Sequence, residues 1–260
     1  MLLVIDIGNT NIKMAVFHND DIVMSLRLAT AVGKTSDEYG LNVKELLNAG
    51  GVSLSDITAV IMSSVNPNLN YTFEHMVRYY FKVKPMLVGS GIKTGLFIRY
   101  NDPKEVGSDR IVNSVAAYQT YGGPVIVVDC GTATTFNVIS EKGEFLGGLI
   151  SFGLKTSADA LSGCTAKLPK IELAAPPTVV CKSTITNMQS GIINGFEGMV
   201  GHIIRKIKEE TGYFAAKVIA TGGLSELIGK ESAAIDVIDR TLTLRGLNII
   251  YKMNTARDKQ

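Results

Sequence analysis

Apolar residues follow two rhythms along this chain. A continuous run from Leu2 to Ile5 ends on Asp6, and after the turn Gly8-Asn9-Thr10-Asn11 a second run, Ile12 to Phe17, reaches the polar cluster His18-Asn19-Asp20-Asp21. Short apolar runs separated by Gly, Asn and Asp are the pattern of strands joined by hairpins, so strands are predicted over 2–6, 12–17 and 21–28. The period then lengthens. Helices are predicted over 37–49, ending at Gly50-Gly51, and over 68–81, where Phe73, Met76, Val77 and Tyr80 fall on one face. Strands are expected at 57–62 and 85–88. A third helix opens at Val106-Gly107-Ser108-Asp109, runs to Thr120 and stops at Gly122-Gly123.

The second half repeats the opening. Val4-Ile5-Asp6-Ile7-Gly8 returns 123 positions later as Val127-Val128-Asp129-Cys130-Gly131. Strands are predicted at 125–129, 134–140 and 144–150, then a long helix over 188–210 with Ile192, Phe196, Val200, Ile203 and Ile207 at helical spacing. A strand at 217–220 runs into Thr221-Gly222-Gly223, and a last helix covers about 242–253. The repeat implies a duplicated α/β fold, with halves at 1–118 and 119–260 sharing one cleft. In each copy an aspartate and a glycine enter a tight polar turn, which suits a phosphate and its metal. ATP is the expected ligand.

Composition narrows the class. Basic and acidic residues nearly cancel, 26 against 24, which argues against nucleic acid or an anionic membrane as the main partner. No apolar run approaches the ~20 residues that span a bilayer, and Met1 to Ile7 reads as a strand, with no basic segment of a signal peptide. Three cysteines, Cys130, Cys164 and Cys181, share no metal-like spacing and suit a reduced, cytoplasmic setting.

In the first turn Asp6 offers a hard carboxylate to Mg²⁺, Gly8 admits close backbone approach, and Asn9, Thr10 and Asn11 add neutral donors. Lys13 would neutralise charge on a transferred phosphoryl group. The same residues also suffice for a plain hairpin turn. Asp109 alone reads as a helix cap, but Arg110 beside it conflicts with the helix dipole, as happens where function overrides local preference. Other features carry less. Gly33-Lys34-Thr35 lacks the earlier glycine of a P-loop, since that position is Leu28. His18, His75 and His202 are scattered, Arg78 to Lys82 reads as a helix end, and Cys130 as a buried thiol.

Asp6-Ile7-Gly8-Asn9-Thr10-Asn11, Gly107-Ser108-Asp109-Arg110, Asp129-Cys130-Gly131-Thr132-Ala133-Thr134, Thr184 through Met188-Gln189-Ser190-Gly191, and Thr221-Gly222-Gly223 stand in an order and spacing that resembles the type III pantothenate kinases. The resemblance implies an actin-like fold of the acetate and sugar kinase type, with two ribonuclease-H-like halves. It implies ATP-dependent phosphorylation of pantothenate, toward coenzyme A, by a cytoplasmic homodimer. On that resemblance Asp6, Ile7, Gly8, Asn9, Thr10, Asn11, Ile12, Lys13 and Thr132 bind ATP, and Asp6 binds Mg²⁺. Asp109 is the catalytic base, and Tyr100, Gly107, Ser108, Asp109, Arg110 and Thr184 bind pantothenate, with Arg110 taking its carboxylate. Asp129 holds a monovalent cation, usually K⁺. Two departures are visible: Ser108 replaces a common alanine, and Ser151-Phe152-Gly153 replaces Ser-Pro-Gly. Two rivals stay open, a non-enzymatic regulator related to the family and another actin-like phosphotransferase.

Overall fold

The computed structural model describes residues 1–229 and 232–256; residues 230–231 and 257–260 of the expected second half lie outside that range. The chain divides into two compact units, Met1–Leu96 with Asn101–Ala116 and Leu242–Gln260, and Phe97–Tyr100 with Ala117–Thr241.

The first unit holds a sheet of β1 (Leu2–Ile7), β2 (Asn11–His18), β3 (Asp21–Ala29), β4 (Ala59–Ser64) and β5 (Met86–Leu87), ordered β3-β2-β1-β4-β5. β1, β2 and β3 form an antiparallel meander, while β4 and β5 run parallel to β1. Every residue of β1 is buried, so its sequence is continuously apolar except at Asp6. Helices α1 (Ser36–Ala49) and α2 (Pro67–Met76) cover one face, where Tyr39, Leu47 and Phe73 pack with Leu3, Ile5 and Met14. On the other face, Val112 and Val115 of α3 (Ser108–Tyr121) join Leu247 and Ile250, from a later helix, against Val4 and Phe17.

The second unit contains β6 (Phe97–Ile98), β7 (Val125–Cys130), β8 (Ala133–Ile139), β9 (Glu144–Phe152), α4 (Leu154–Gly163), α5 (Thr184–Thr211), β10 (Lys217–Thr221), α6 (Ser225–Gly229) and β11 (Val237–Ile238). The chain then returns to the first unit as α7 (Leu242–Thr255). The second sheet, β11-β10-β7-β8-β9-β6, repeats the first in strand order and direction, with β6 added beside β9. Even the bulge recurs, at Val16/Phe17 in one meander and Val138/Ile139 in the other. One core, with Phe196, Val200 and Ile204 of α5 against Val128 and Phe136, supports this sheet.

Several expected elements shift. The helix of 68–81 is α-helical only to Met76 and widens into a π turn, Val77–Phe81, before Lys82 turns left-handed at φ 59°. Val77 and Phe81 both stay buried, which preserves the apolar period. Gly33-Lys34-Thr35 leads into a capping box: the Thr35 hydroxyl accepts from the Glu38 N–H at 3.3 Å, and the Thr35 N–H donates to Glu38 at 2.8 Å. That bond holds the Glu38 carboxyl below its ordinary range. Helix α5 starts at Thr184 because Ser183 caps it, accepting from the Thr186 N–H. Helix α4 was not foreseen, since only Leu154 and Ala158 are buried along it.

Helices α3 and α7 meet at Gly246, where a Cβ would lie 2.4 Å from the backbone oxygen of Val112. Thr243 donates to Asn113 at 2.7 Å in the same contact. Gly246→Ala is expected to lower stability by roughly 2 kcal/mol, because overpacking costs more than the ~1 kcal/mol that alanine contributes to a helix. Urea unfolding of the variant measures the difference.

Candidate active site

The end of β1 places a carboxylate between two neighbours. Asp6 lies opposite Lys13 across the β1–β2 hairpin and opposite Ser63 across β1–β4. Residues opposed in register share a face, so Lys13, Asp6 and Ser63 form one row. Asp6 and Ser63 are buried, and the Ser63 hydroxyl donates to Asp6 Oδ1 at 2.9 Å. Ile7 and Ile12 pair beyond them with both side chains in the core.

The turn itself is pinned from inside. The Gly8 N–H donates to the Asn11 oxygen at 3.1 Å, and Thr30 donates its hydroxyl to Gly8 O at 2.8 Å and its N–H to Thr10 O at 3.0 Å. A Cβ at Gly8 would stand 2.8 Å from Asn11 O. Glycine is therefore demanded by closure of the turn, and its N–H is used there instead of facing outward. Asn9, Thr10 and Asn11 are exposed at the tip.

Helix α3 starts beside this row. The Ser108 hydroxyl donates to Ser64 O at 2.9 Å and accepts from the Ser64 N–H at 3.1 Å, tying the helix start to the residue after Ser63. The Ser108 hydroxyl is thus engaged with backbone. Asp109 Oδ1 accepts from the Arg110 N–H at 2.7 Å. A Cβ on Gly107 would fall 2.6 Å from that oxygen, so glycine leaves room for the carboxylate. Burial pushes the Asp109 carboxyl above its ordinary range, opposed by the Arg110 N–H, the Arg110 charge and the Lys13 charge. Arg110 is itself buried, an unusual place for a cation in a first helical turn. Asp6, Lys13, Ser63, Ser108, Asp109 and Arg110 therefore belong to one neighbourhood of the first unit. Ser63 and Ser64 were missed from sequence, since the predicted strand stopped at 62; two serines ending an apolar run were the available signal.

Asp129, Thr132, Tyr100 and Thr184 belong to the second unit. Asp129 is the penultimate residue of β7, beside Cys130, whose thiol is pushed up to about 12 by burial and by the Asp129 charge, so it stays protonated. The Thr132 oxygen accepts from the Gly153 N–H at 3.1 Å and from the Thr156 hydroxyl at 2.7 Å. These bonds seat the start of α4 on the turn, with Phe152 exposed at the end of β9. The Tyr100 ring lies 6.4 Å from that of Phe145. Thr184, expected in a loop, is the first residue of α5 and edges a depression of about 470 Å³ with Leu161, Leu168, Asn187 and Met188. Among the described residues no helix is long and apolar enough to cross a membrane.

Solved structures share this architecture across nearly the whole chain. A Campylobacter jejuni protein named for the Baf family of transcriptional activators is 21% identical, with a TM-score of 0.60, covering 98% of this chain and 99% of that one. Ethanolamine utilization protein EutJ from Carboxydothermus hydrogenoformans is 17% identical, with a TM-score of 0.54 and coverage of 95% and 89%. The ROK hexokinase of Thermus thermophilus is 11% identical, with a TM-score of 0.52 and coverage of 98% and 99%. The fold is accordingly actin-like, of the sugar kinase type. The family model described as type III pantothenate kinase matches residues 2–206, and the chain belongs to that family, which makes it a phosphotransferase.

The raised Asp109 carboxyl has a stability consequence. A carboxyl whose folded pKa exceeds its unfolded one stabilises the fold when protonated, and that contribution is lost as pH rises through the folded pKa. Asp109→Asn is therefore expected to be more stable than wild type at neutral pH, with the two converging on acidification. Urea unfolding at a series of pH values checks the sign.

Proposed function

We propose that this chain transfers the γ-phosphoryl group of ATP to the primary hydroxyl of pantothenate, giving 4′-phosphopantothenate and ADP. The observation that carries the reading is the Asp109 carboxylate, raised by burial, fixed by the Arg110 N–H and within the field of Lys13. A carboxyl raised above its ordinary range by burial, with cations beside it, suits general-base work on an alcohol. Family membership supports the substrate.

The step balances simply. The hydroxyl oxygen forms a bond to the γ-phosphorus, its proton passes to Asp109, and the bond to the β–γ bridging oxygen breaks. Lys13 stabilises charge on the transferred group. Arg110 pairs with the carboxylate of pantothenate, with Gly107 and Ser108 shaping the helix start and Tyr100 and Thr184 contributing to the same substrate. The stretch from Asp6 to Lys13, together with Thr132, serves ATP.

Two ions fit the oxygen donors present. Asp6, buried and oriented by Ser63, offers the hard carboxylate oxygen that Mg²⁺ favours. When bound, Mg²⁺ supplies charge neutralisation at the phosphates. At the second aspartate, a Cβ on Gly222 would lie 2.6 Å from both Asp129 Oδ1 and the Cys130 oxygen, so two oxygens border a space that only glycine leaves open. That arrangement suits K⁺, which would add positive charge near Asp129. The reading also takes the active form as a cytoplasmic homodimer.

Purified protein with Mg·ATP, KCl and pantothenate is expected to yield 4′-phosphopantothenate by mass spectrometry. Asp109→Asn should lower turnover by about 10²–10⁴-fold, the range of general-base contributions. Full turnover in that variant would remove Asp109 from the role, and no product from wild type would contradict the substrate.

A further inference from the structure

The two sheets carry equivalent rows at the ends of their central strands, but the rows are filled differently. In the first unit, β2, β1 and β4 align Lys13, Asp6 and Ser63. In the second, β8, β7 and β10 align Thr135, Asp129 and Thr221. The first carboxylate therefore has an ammonium group on one side and a donating hydroxyl on the other. The second has a threonine in each place. Thr135 Oγ1 and Thr221 Oγ1 are both buried, and neither has a hydrogen-bonding partner among the described residues; Thr221 is 1% exposed.

Buried hydroxyls are rarely left without partners, and two of them flanking one carboxylate share an explanation. Neither donates to Asp129. With the Cys130 oxygen beside Asp129 at the Gly222 turn, the three side chains present one formal negative charge and several neutral oxygens. Mg²⁺ is held mainly by carboxylates, phosphates and water. One formal negative charge among neutral hydroxyl and carbonyl oxygens matches a cation of single charge.

We propose that Thr135 and Thr221 are ligands that complete, with Asp129, a monovalent cation site, and that this ion takes the place in the second half that the Lys13 ammonium takes in the first. The inference rests on the reading above that Asp129 holds K⁺, and it adds the two threonines and the equivalence with Lys13.

Binding is tested without turnover, by thermal unfolding of the protein in KCl against tetramethylammonium chloride at constant ionic strength. A ligand that binds only the folded state raises the unfolding temperature in a saturable way. Wild type is expected to show that rise with KCl. Thr135→Val and Thr221→Val should need about tenfold more KCl or better for half the effect, while Thr221→Ser retains it. Thr135→Lys, which restores the ammonium, should lose its response to KCl. In tetramethylammonium the valine variants should unfold at or above the wild-type temperature, since each removes a buried hydroxyl without a partner. Valine variants with wild-type half-saturation, or unfolding well below wild type in tetramethylammonium, would overturn the assignment. A wild type indifferent to KCl would overturn it too, and mass-spectrometric detection of 4′-phosphopantothenate would then decide the phosphoryl-transfer reading separately.

Discussion

Placing a carboxylate at the buried end of a central strand is the constraint from which the site's details follow. Removing a charge from water is tolerable only where hydrogen bonds or opposite charges replace the solvent. Asp6 meets that demand through the Ser63 hydroxyl, with Lys13 opposite it in register. Asp109 meets it through the Arg110 N–H and the charges of Arg110 and Lys13, which oppose burial without cancelling it. The glycines follow from the same demand. Gly107 yields space to the Asp109 carboxylate and Gly222 to that of Asp129.

The supporting elements are stiff. Asp6 and Asp129 sit on strands bonded on both sides, and α3 is fastened to β4 by both hydrogen bonds of Ser108. A residue held this way keeps its geometry at little entropic cost when a substrate arrives, which is how a site on regular elements gains over one on loops. The raised Asp109 carboxyl is the other side of that arrangement: burying its charged form costs stability locally. Cys130, one residue from Asp129, is kept out of the chemistry by the same burial.

Much of the fold was legible because its central strands are buried on both faces and its turns are rich in Gly, Asn and Asp. The repeat of Asp6 at Asp129 foretold two sheets of the same topology. Family membership and fold agree with the resemblance carried by those motifs. What escaped were elements without enough periodic residues. Helix α4 buries only Leu154 and Ala158, and β6 and β11 are two residues each. The partners of the site residues escaped as well. Ser63 reaches Asp6 through a parallel pairing of strands 57 positions apart, and spacing along a chain carries no trace of such a register. Gly8 was read correctly as a residue of the turn, but its N–H proved committed to Asn11.

In the proposed reaction a phosphoryl group moves from ATP to an alcohol oxygen of pantothenate. Phosphorus NMR of the protein with Mg·ATP, KCl and pantothenate carrying heavy oxygen at its primary hydroxyl follows that atom directly. The expected result is a growing phosphomonoester signal with the isotope shift of a retained P–O bond to the labelled oxygen, matched by loss of ATP and gain of ADP. ATP left intact, or inorganic phosphate appearing with no ester, would contradict it.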